Sequence, residues 1–404
     1  LILSDQEPGA AGADGAVSAS GAAPAVHRIN VVEPTLASEA GHCAALFRGL
    51  RAAAPDLAFR LWIDRRAQLP GWPEAAAQLE PLFDRRWRKL QALLLYRRLL
   101  RAPAPLLIPT ATYFDLRALD LAAGGRLPAH RAFLYFHKLR VSPRRARALA
   151  RLARRQPELE LFGTSAEIVE RLRAAGFPRV QRVLPVLTAS DVPAAGAADA
   201  PLPAFRYLLS AGAARADKGF ARIVDLVEWM ARSGATLPIA VQTSGDHYGR
   251  HDERTAADLV RLRACRYAPL RLIDETLDGR QYAQIFAGAV CLQPYERAEY
   301  ADKMSAVTFD ALRAGAPVIT LAGTTMAGIV ASTGAGLVIE DASAAAMLAA
   351  AAVAVAQYGP LQARALAAAA AFDPGNSWAP LVERLRLGCA GGGNAGPAVR
   401  LKKK

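Results

Sequence analysis

Short apolar runs of four to seven residues alternate along this chain with longer stretches whose apolar positions recur every three or four residues. In the first half Arg28 to Val32, Leu57 to Ile63, Pro105 to Ile108, Ala132 to Phe136, Leu159 to Phe162 and Val180 to Leu184 read as strands. Helical patterns lie between most of them. Ser38 can cap one in which Cys43, Leu46, Phe47 and Leu50 share a face. A basic helix is expected from about Glu74 to Arg101. The second half repeats the theme, with strands at Arg206 to Ala211, Leu237 to Gln242, Leu270 to Ile273, Val290 to Gln293, Pro317 to Leu321 and Gly336 to Ile339. Between the first two of these, Ile223, Leu226, Val227 and Met230 line one side of a helix from Gly219 to Arg232. Strand–helix alternation predicts α/β architecture with parallel sheets covered on both faces.

Low-complexity stretches divide the pattern. Residues 1–26 read as a disordered leader, 189–204 as a linker between two α/β domains (27–188 and 205–388), and 389–404 as a flexible basic tail. Two such domains leave a cleft, and ligands bind outside the carboxyl ends of such strands. Composition adds exclusions. No run of about 18 uncharged apolar residues predicts a membrane-spanning helix. The N-terminus lacks the basic and apolar regions of a signal peptide. Cys43, Cys265, Cys291 and Cys389 are scattered without a CxxC pair, which argues against a zinc site or a disulfide scaffold and fits a reducing compartment. The formal net charge of +14 leaves acidic ligands, anionic membrane and nucleic acid open as partners.

Two segments carry the candidate chemistry. In Ser210 to Gly219 a strand passes into a helix. Gly212 permits a tight turn, and Arg215 and Lys218 stand beside the free N–H groups of the helix start, a combination suited to a diphosphate. The plainer reading is a capped loop with solvated charges. In Pro294 to Ile319 a loop bearing Tyr300, Asp302 and Ser305 leads into a helix bearing Asp310, and Gly315 ends that helix before the next strand. Carboxylates there suit sugar or ribose hydroxyls; an acid near a helix start is also favourable with the macrodipole alone.

From Tyr207 to Leu385 the sequence resembles the GT-B glycosyltransferases, specifically the large retaining family that uses nucleotide-sugar donors. Gly212 to Gly219 occupies the place of that family's G-R-L-x-x-x-K-G loop, with Lys218 at the lysine. Asp302 and Asp310 fall at the acids of E-x7-E, and Ala311, Gly315, Pro317, Val318 and Ile319 match the following A-x-x-x-G-x-P-V-I. Gly323 to Val330, Gly334 to Asp341, and Asn376-Ser377-Trp378 with its helix look like the later loop, final strand and crossover segment. The chain departs in having Asp for both acids, Ala213 for the arginine and Ser305 for a glycine. The resemblance implies a fold of two Rossmann-like doubly wound domains facing across a cleft. It implies transfer of a sugar from a nucleotide-diphosphate sugar to a glycan, lipid-linked or polysaccharide acceptor. Lys218 with Arg215 would neutralise the leaving diphosphate, Asp310 would hold the ribose, and Asp302 would orient the donor sugar; Gly212, Tyr300 and Ser305 would join the donor site.

The donor is a substrate, and no cofactor is implied. No Asp-x-Asp pair occurs, so no bound metal is expected. In the first half Gly41 and His42 are candidate acceptor contacts, with a capped helix start as the alternative. His137, after a strand, is a candidate base or acceptor contact, or a structural histidine. Ser165 reads as a helix cap. The basic helix, with Arg85, Arg86, Arg88 and Lys89 among Leu and Trp, reads as a solvated face or as a peripheral contact with anionic inner membrane, on the cytoplasmic side. A nicotinamide oxidoreductase is disfavoured because no GxGxxG follows a strand. A nucleic-acid binder would need a recognisable module or a basic–aromatic stripe, and neither is found. A catalytically inactive GT-B binding protein remains the alternative, since both acids are changed.

Overall fold

The computed structural model describes residues 27–38, 42–70, 72, 77–183, 202–245, 250–275, 277–375 and 377–391. The expected leader, most of the linker and most of the tail lie outside these residues, as does Gly41; the side chain of His42 is likewise not described.

The first half forms seven parallel strands: β1 (Arg28–Glu33), β2 (Ala58–Asp64), β3 (Ala77–Phe83), β4 (Leu106–Ile108), β5 (Ala132–Phe136), β6 (Glu160–Gly163) and β7 (Val180–Arg182). Their spatial order is β3-β2-β1-β4-β5-β6-β7. The second half forms six: β8 (Tyr207–Ser210), β9 (Ile239–Gln242), β10 (Leu270–Ile273), β11 (Ala289–Gln293), β12 (Val318–Leu321) and β13 (Gly336–Ile339), in the order β10-β9-β8-β11-β12-β13. Every pairing is parallel. Each sheet therefore reverses its winding once, between β1 and β4 and between β8 and β11. At such a reversal the loops leaving the carboxyl ends part in opposite directions and open a crevice.

Central strands such as Ala132–Phe136 and Ala289–Gln293 are buried at every position, as continuous apolar runs in a doubly covered sheet must be. Helices cover both faces. α1 (His42–Ala53) packs Leu46, Phe47 and Leu50 on one face of the first sheet. α2 (Arg88–Leu99), α3 (Tyr113–Ala123), α4 (Pro143–Arg155) and α5 (Ala166–Ala174) cover the other. In the second half α6 (Phe220–Ser233) buries Phe220, Ile223, Leu226, Val227 and Met230, and ends at Gly234 in the left-handed conformation. Each such side chain contributes roughly 1.5–3 kcal/mol by leaving water.

The expected helix from Glu74 to Arg101 is corrected. Its first part is β3, and only Arg88–Leu99 is helical. Pro81 has no N–H and breaks a helix interior, whereas an edge strand tolerates it, and β3 lies at the edge of its sheet. At the other end of the chain α14 (Ala379–Gly391) runs past the expected boundary at 388. Leu381, Val382 and Leu385, with Trp378, enter the core of the first domain beside Val31 and Phe47. This helix, the last among the described residues, thus ties the two halves together.

Candidate active site

The second sheet's reversal builds a cationic cradle. After β8 the backbone turns at Gly212, whose φ is +87° and whose N–H donates to the buried Gln242 side chain at 2.6 Å. A β-carbon there would lie 2.3 Å from Lys218 Nζ, so the missing side chain is what lets the ammonium fold back over the turn. A 3-10 turn, Ala216–Lys218, leads to Gly219 at φ +69°. A β-carbon on Gly219 would stand 2.0 Å from the Pro294 carbonyl oxygen, which presses the loop after β8 onto the loop after β11. Two further bonds fasten the loops. Glu296 N–H donates to the Asp217 carbonyl at 3.0 Å, and Arg222 Nη1 donates to the Pro294 carbonyl at 2.7 Å.

Three cations, Arg215, Lys218 and Lys303, share this crevice, and Asp217 is paired with two of them. Asp217 pairs with Arg215 at 2.6 Å and with Lys303 at 3.3 Å. Lys303 also stands 4.5 Å above the centre of the Tyr300 ring. Among the described residues Lys218 has no comparable ion pair, and burial, then the Arg215 charge, brings its ammonium down to about 8. Burial likewise lowers Lys303, against the attraction of Asp217. A lysine held below its ordinary range by desolvation and like charge gains from any anion that enters.

Asp310 sits on α10 (Ala306–Arg313). Burial pushes its carboxyl up to about 7, against the Tyr282 hydroxyl, which is hydrogen-bonded to it, and against the charges of Arg313 and Lys218. The charge of Lys218, in the cationic cradle, thus acts on it.

Tyr300 and Ser305 are placed differently. Tyr300 is buried against Tyr295, ring centres 4.6 Å apart, with Met326 behind. Ser305 is buried at the start of α10, with its hydroxyl 3.5 Å from the Tyr295 hydroxyl. These residues form the packed floor beneath Lys303.

Asp302 faces the other domain. Its carboxylate pairs with Arg171 of α5, and its carbonyl accepts from the Ser165 hydroxyl at 3.2 Å. Ser165 also caps α5, as the sequence indicates, accepting from Ile168 N–H. One turn earlier Glu299, on α9 (Arg297–Tyr300), pairs with both Lys138 and Arg140 from the loop after β5. Those hydrogen bonds hold the Glu299 carboxyl down at about 2. The loop after β11 thus bears cations toward the cradle and carboxylates toward the first domain.

The first domain's own reversal carries an acid that the sequence does not advertise. Glu33, at the carboxyl end of β1, is 3% exposed. Its carboxylate accepts from Thr110 Oγ1 at 2.7 Å, across the reversal, and from the Thr35 N–H and hydroxyl. Burial raises its pKa, while those bonds act against the rise. His137 lies after β5, its Nε2 3.1 Å from the Pro109 carbonyl and its ring 4.7 Å from Tyr135. The structure thus gathers Gly212, Arg215, Lys218 and Asp310 at one crevice, turns Asp302 toward α5, and sets His137 across the cleft. Lys303 and Glu33 were the residues sequence reasoning missed. A lysine beside Asp302 was readable, but only folding brings it to Asp217.

Two doubly wound parallel sheets facing each other, with a final helix returned to the first domain, are the architecture of the GT-B fold. Solved structures with that fold align over nearly the whole chain. They include an E. coli trehalose-6-phosphate structure bound with UDP-2-fluoro glucose (TM-score 0.58, 13% identity, 92% of this chain and 100% of that one). They also include sucrose-phosphate synthase from Thermosynechococcus elongatus (0.63, 14%, 89% and 98%) and HepE from Anabaena in complex with UDP-glucose (0.62, 10%, 90% and 99%). At these identities the likeness establishes the fold. No protein-family model and no curated protein matches the chain.

Proposed function

We propose that this protein is a glycosyltransferase that moves a sugar from a nucleotide-diphosphate sugar to an acceptor hydroxyl. One observation carries the reading: Arg215, Lys218 and Lys303 converge on the winding reversal of the second sheet, where Asp217 pairs with Arg215 and Lys303 and leaves the Lys218 charge to be met by a ligand. Structures of the same fold are bound with UDP-2-fluoro glucose and UDP-glucose, which supports placing a diphosphate there. As the bond from the anomeric carbon to the diphosphate oxygen breaks, negative charge grows on that oxygen. Preorganised cations stabilise this charge without needing to reorganise. Asp310 holds hydroxyls of the donor. The acceptor enters from the first domain, beside His137, with Gly41 and His42 as further contacts. A glycan, lipid-linked or polysaccharide acceptor and retention at the anomeric carbon rest on the sequence resemblance. Asp302 serves the donor only once its pair with Arg171 opens, so its role is tied to movement between the domains.

A second reading has an observation of its own. Asp302 is 5% exposed and already paired, which suits a GT-B protein that binds a nucleotide sugar without turning it over. Thermal-shift titration with UDP, GDP, ADP and CMP tests binding, because a ligand that binds only the folded state raises its stability. One of these ligands is expected to shift the wild type, and Lys218→Ala is expected to lose that shift. If none shifts it, or if Lys218→Ala keeps full affinity, the donor site is wrongly placed. Turnover of a radiolabelled nucleotide sugar then separates the enzyme from the inactive binder.

A further inference from the structure

The charge excess of this chain is confined to one region. Between Arg85 and Arg155 stand eighteen Lys and Arg residues and two acids, Asp115 and Asp120. Both acids are buried. The other residues of the chain hold 32 cations and 34 acids, so this segment alone accounts for the whole net charge of +14. Most of its cations lie on or beside α2, α3 and α4, which pack side by side over one face of the first sheet, whereas Lys138 and Arg140 are held by Glu299 and Arg131 by backbone carbonyls. Lys89 of α2 stands 5.9 Å from the Phe114 ring and Arg145 of α4 5.3 Å from the Tyr113 ring, so cations from both flanking helices lean onto α3.

The same layer shows apolar side chains to solvent. On α2 the inner stripe, Ala92, Leu95, Tyr96 and Leu99, is buried in the core. Trp87, Leu90 and Leu94, spaced for the opposite face, are 58%, 53% and 60% exposed. Leu121 on α3 is 69% exposed. A helix that is apolar inward needs no second apolar stripe outward. α2 and α4 start near the carboxyl ends of the strands before them, so the layer borders the cleft.

We propose that the outer face of α2, α3 and α4 docks on an anionic lipid bilayer. Cations are drawn to the headgroup charge, and Trp87, Leu90 and Leu94 enter the boundary between headgroups and acyl chains. The apolar stripe is what selects a bilayer over a polynucleotide. A phosphate backbone would engage the cations and leave Trp87, Leu90 and Leu94 in water. This proposal stands on the surface alone and does not depend on the transferase reading.

Flotation of the full chain with phosphatidylcholine vesicles, with and without 30 mol% phosphatidylglycerol, tests it. Binding is expected to the anionic vesicles only, and to weaken at 0.5 M salt. Two variants are compared after circular dichroism shows that both fold: Trp87→Ser/Leu90→Ser/Leu94→Ser and Arg85→Gln/Arg86→Gln/Lys89→Gln. Each is expected to lower the partition coefficient at least tenfold. Vesicle binding unchanged in the apolar variant would overturn the proposal. So would failure to bind anionic vesicles, or duplex DNA that binds the wild type and the apolar variant equally and displaces the vesicles.

Discussion

The two sheets reverse their winding in the same way, yet the crevices they open are chemically opposite. Between β8 and β11 stand Arg215, Lys218 and Lys303 around Asp217. Between β1 and β4 stands a buried carboxyl, Glu33, wrapped by Thr35 and Thr110. Topology fixes where a crevice lies, and side chains decide what it holds. The second crevice is built to take up negative charge. The first is closed by hydrogen bonds around one buried carboxyl, whose pKa burial raises and whose threonine partners act against the rise.

The strongest way to break this contrast is through the glycine that joins the second crevice's loops. Gly219→Ala forces a side chain into the left-handed region and onto the Pro294 carbonyl. The expected cost is on the order of 3 kcal/mol, read from urea denaturation, together with loss of nucleotide binding. Glu33→Ala is expected to cost about 2 kcal/mol, because the Thr35 and Thr110 hydroxyls lose a buried acceptor. It should leave nucleotide affinity unchanged; a drop in affinity would mean that the two crevices are not separate in function.

Two pH effects sharpen the comparison. Lys218 titrates near 8, and an entering diphosphate favours its charged form. Calorimetry at pH 8 in buffers of different ionisation enthalpy should therefore show proton uptake on nucleotide binding, and Lys218→Ala should take up fewer protons at that pH. For Glu33 the folded pKa lies above the unfolded one. The stability it contributes is present in acid and is lost as pH rises through its folded pKa. Glu33→Gln should flatten that part of the profile of melting temperature against pH. The smallest effect belongs to the interdomain contacts. Glu299, paired with Lys138 and Arg140, has its pKa depressed in the folded state, so its contribution is present above about 4.5 and fades toward 2. Glu299→Gln is expected to cost under 1 kcal/mol, since the pair is part-exposed, and to loosen domain closure as seen by small-angle scattering.

Most of the scaffold was legible from pattern. The strands of the second half lie where apolar runs place them; the central ones, such as β11, are buried on both faces and so apolar along most of their length. β3 was not legible. It is an edge strand of mixed character, and the basic run beside it reads as a longer helix. The cradle was partly legible: Gly212, Arg215 and Lys218 are neighbours in sequence, so a local reading finds them. Lys303 joins them across 86 residues through Asp217, and no local pattern carries that. Asp302 shows the converse limit. Its spacing from Asp310 places both on one family motif, but the Arg171 that turns it toward the first domain lies 131 residues away.

The account's central claim is that the second crevice recognises a diphosphate, and the most direct test compares nucleoside diphosphates with their nucleosides by isothermal titration calorimetry. The nucleoside diphosphate that binds should do so at least about 100-fold more tightly than the matching nucleoside, as expected for several desolvated charge-assisted contacts. Lys218→Ala should erase most of that difference. Equal affinities for the diphosphate and the bare nucleoside, or a difference untouched by Lys218→Ala, would contradict the claim.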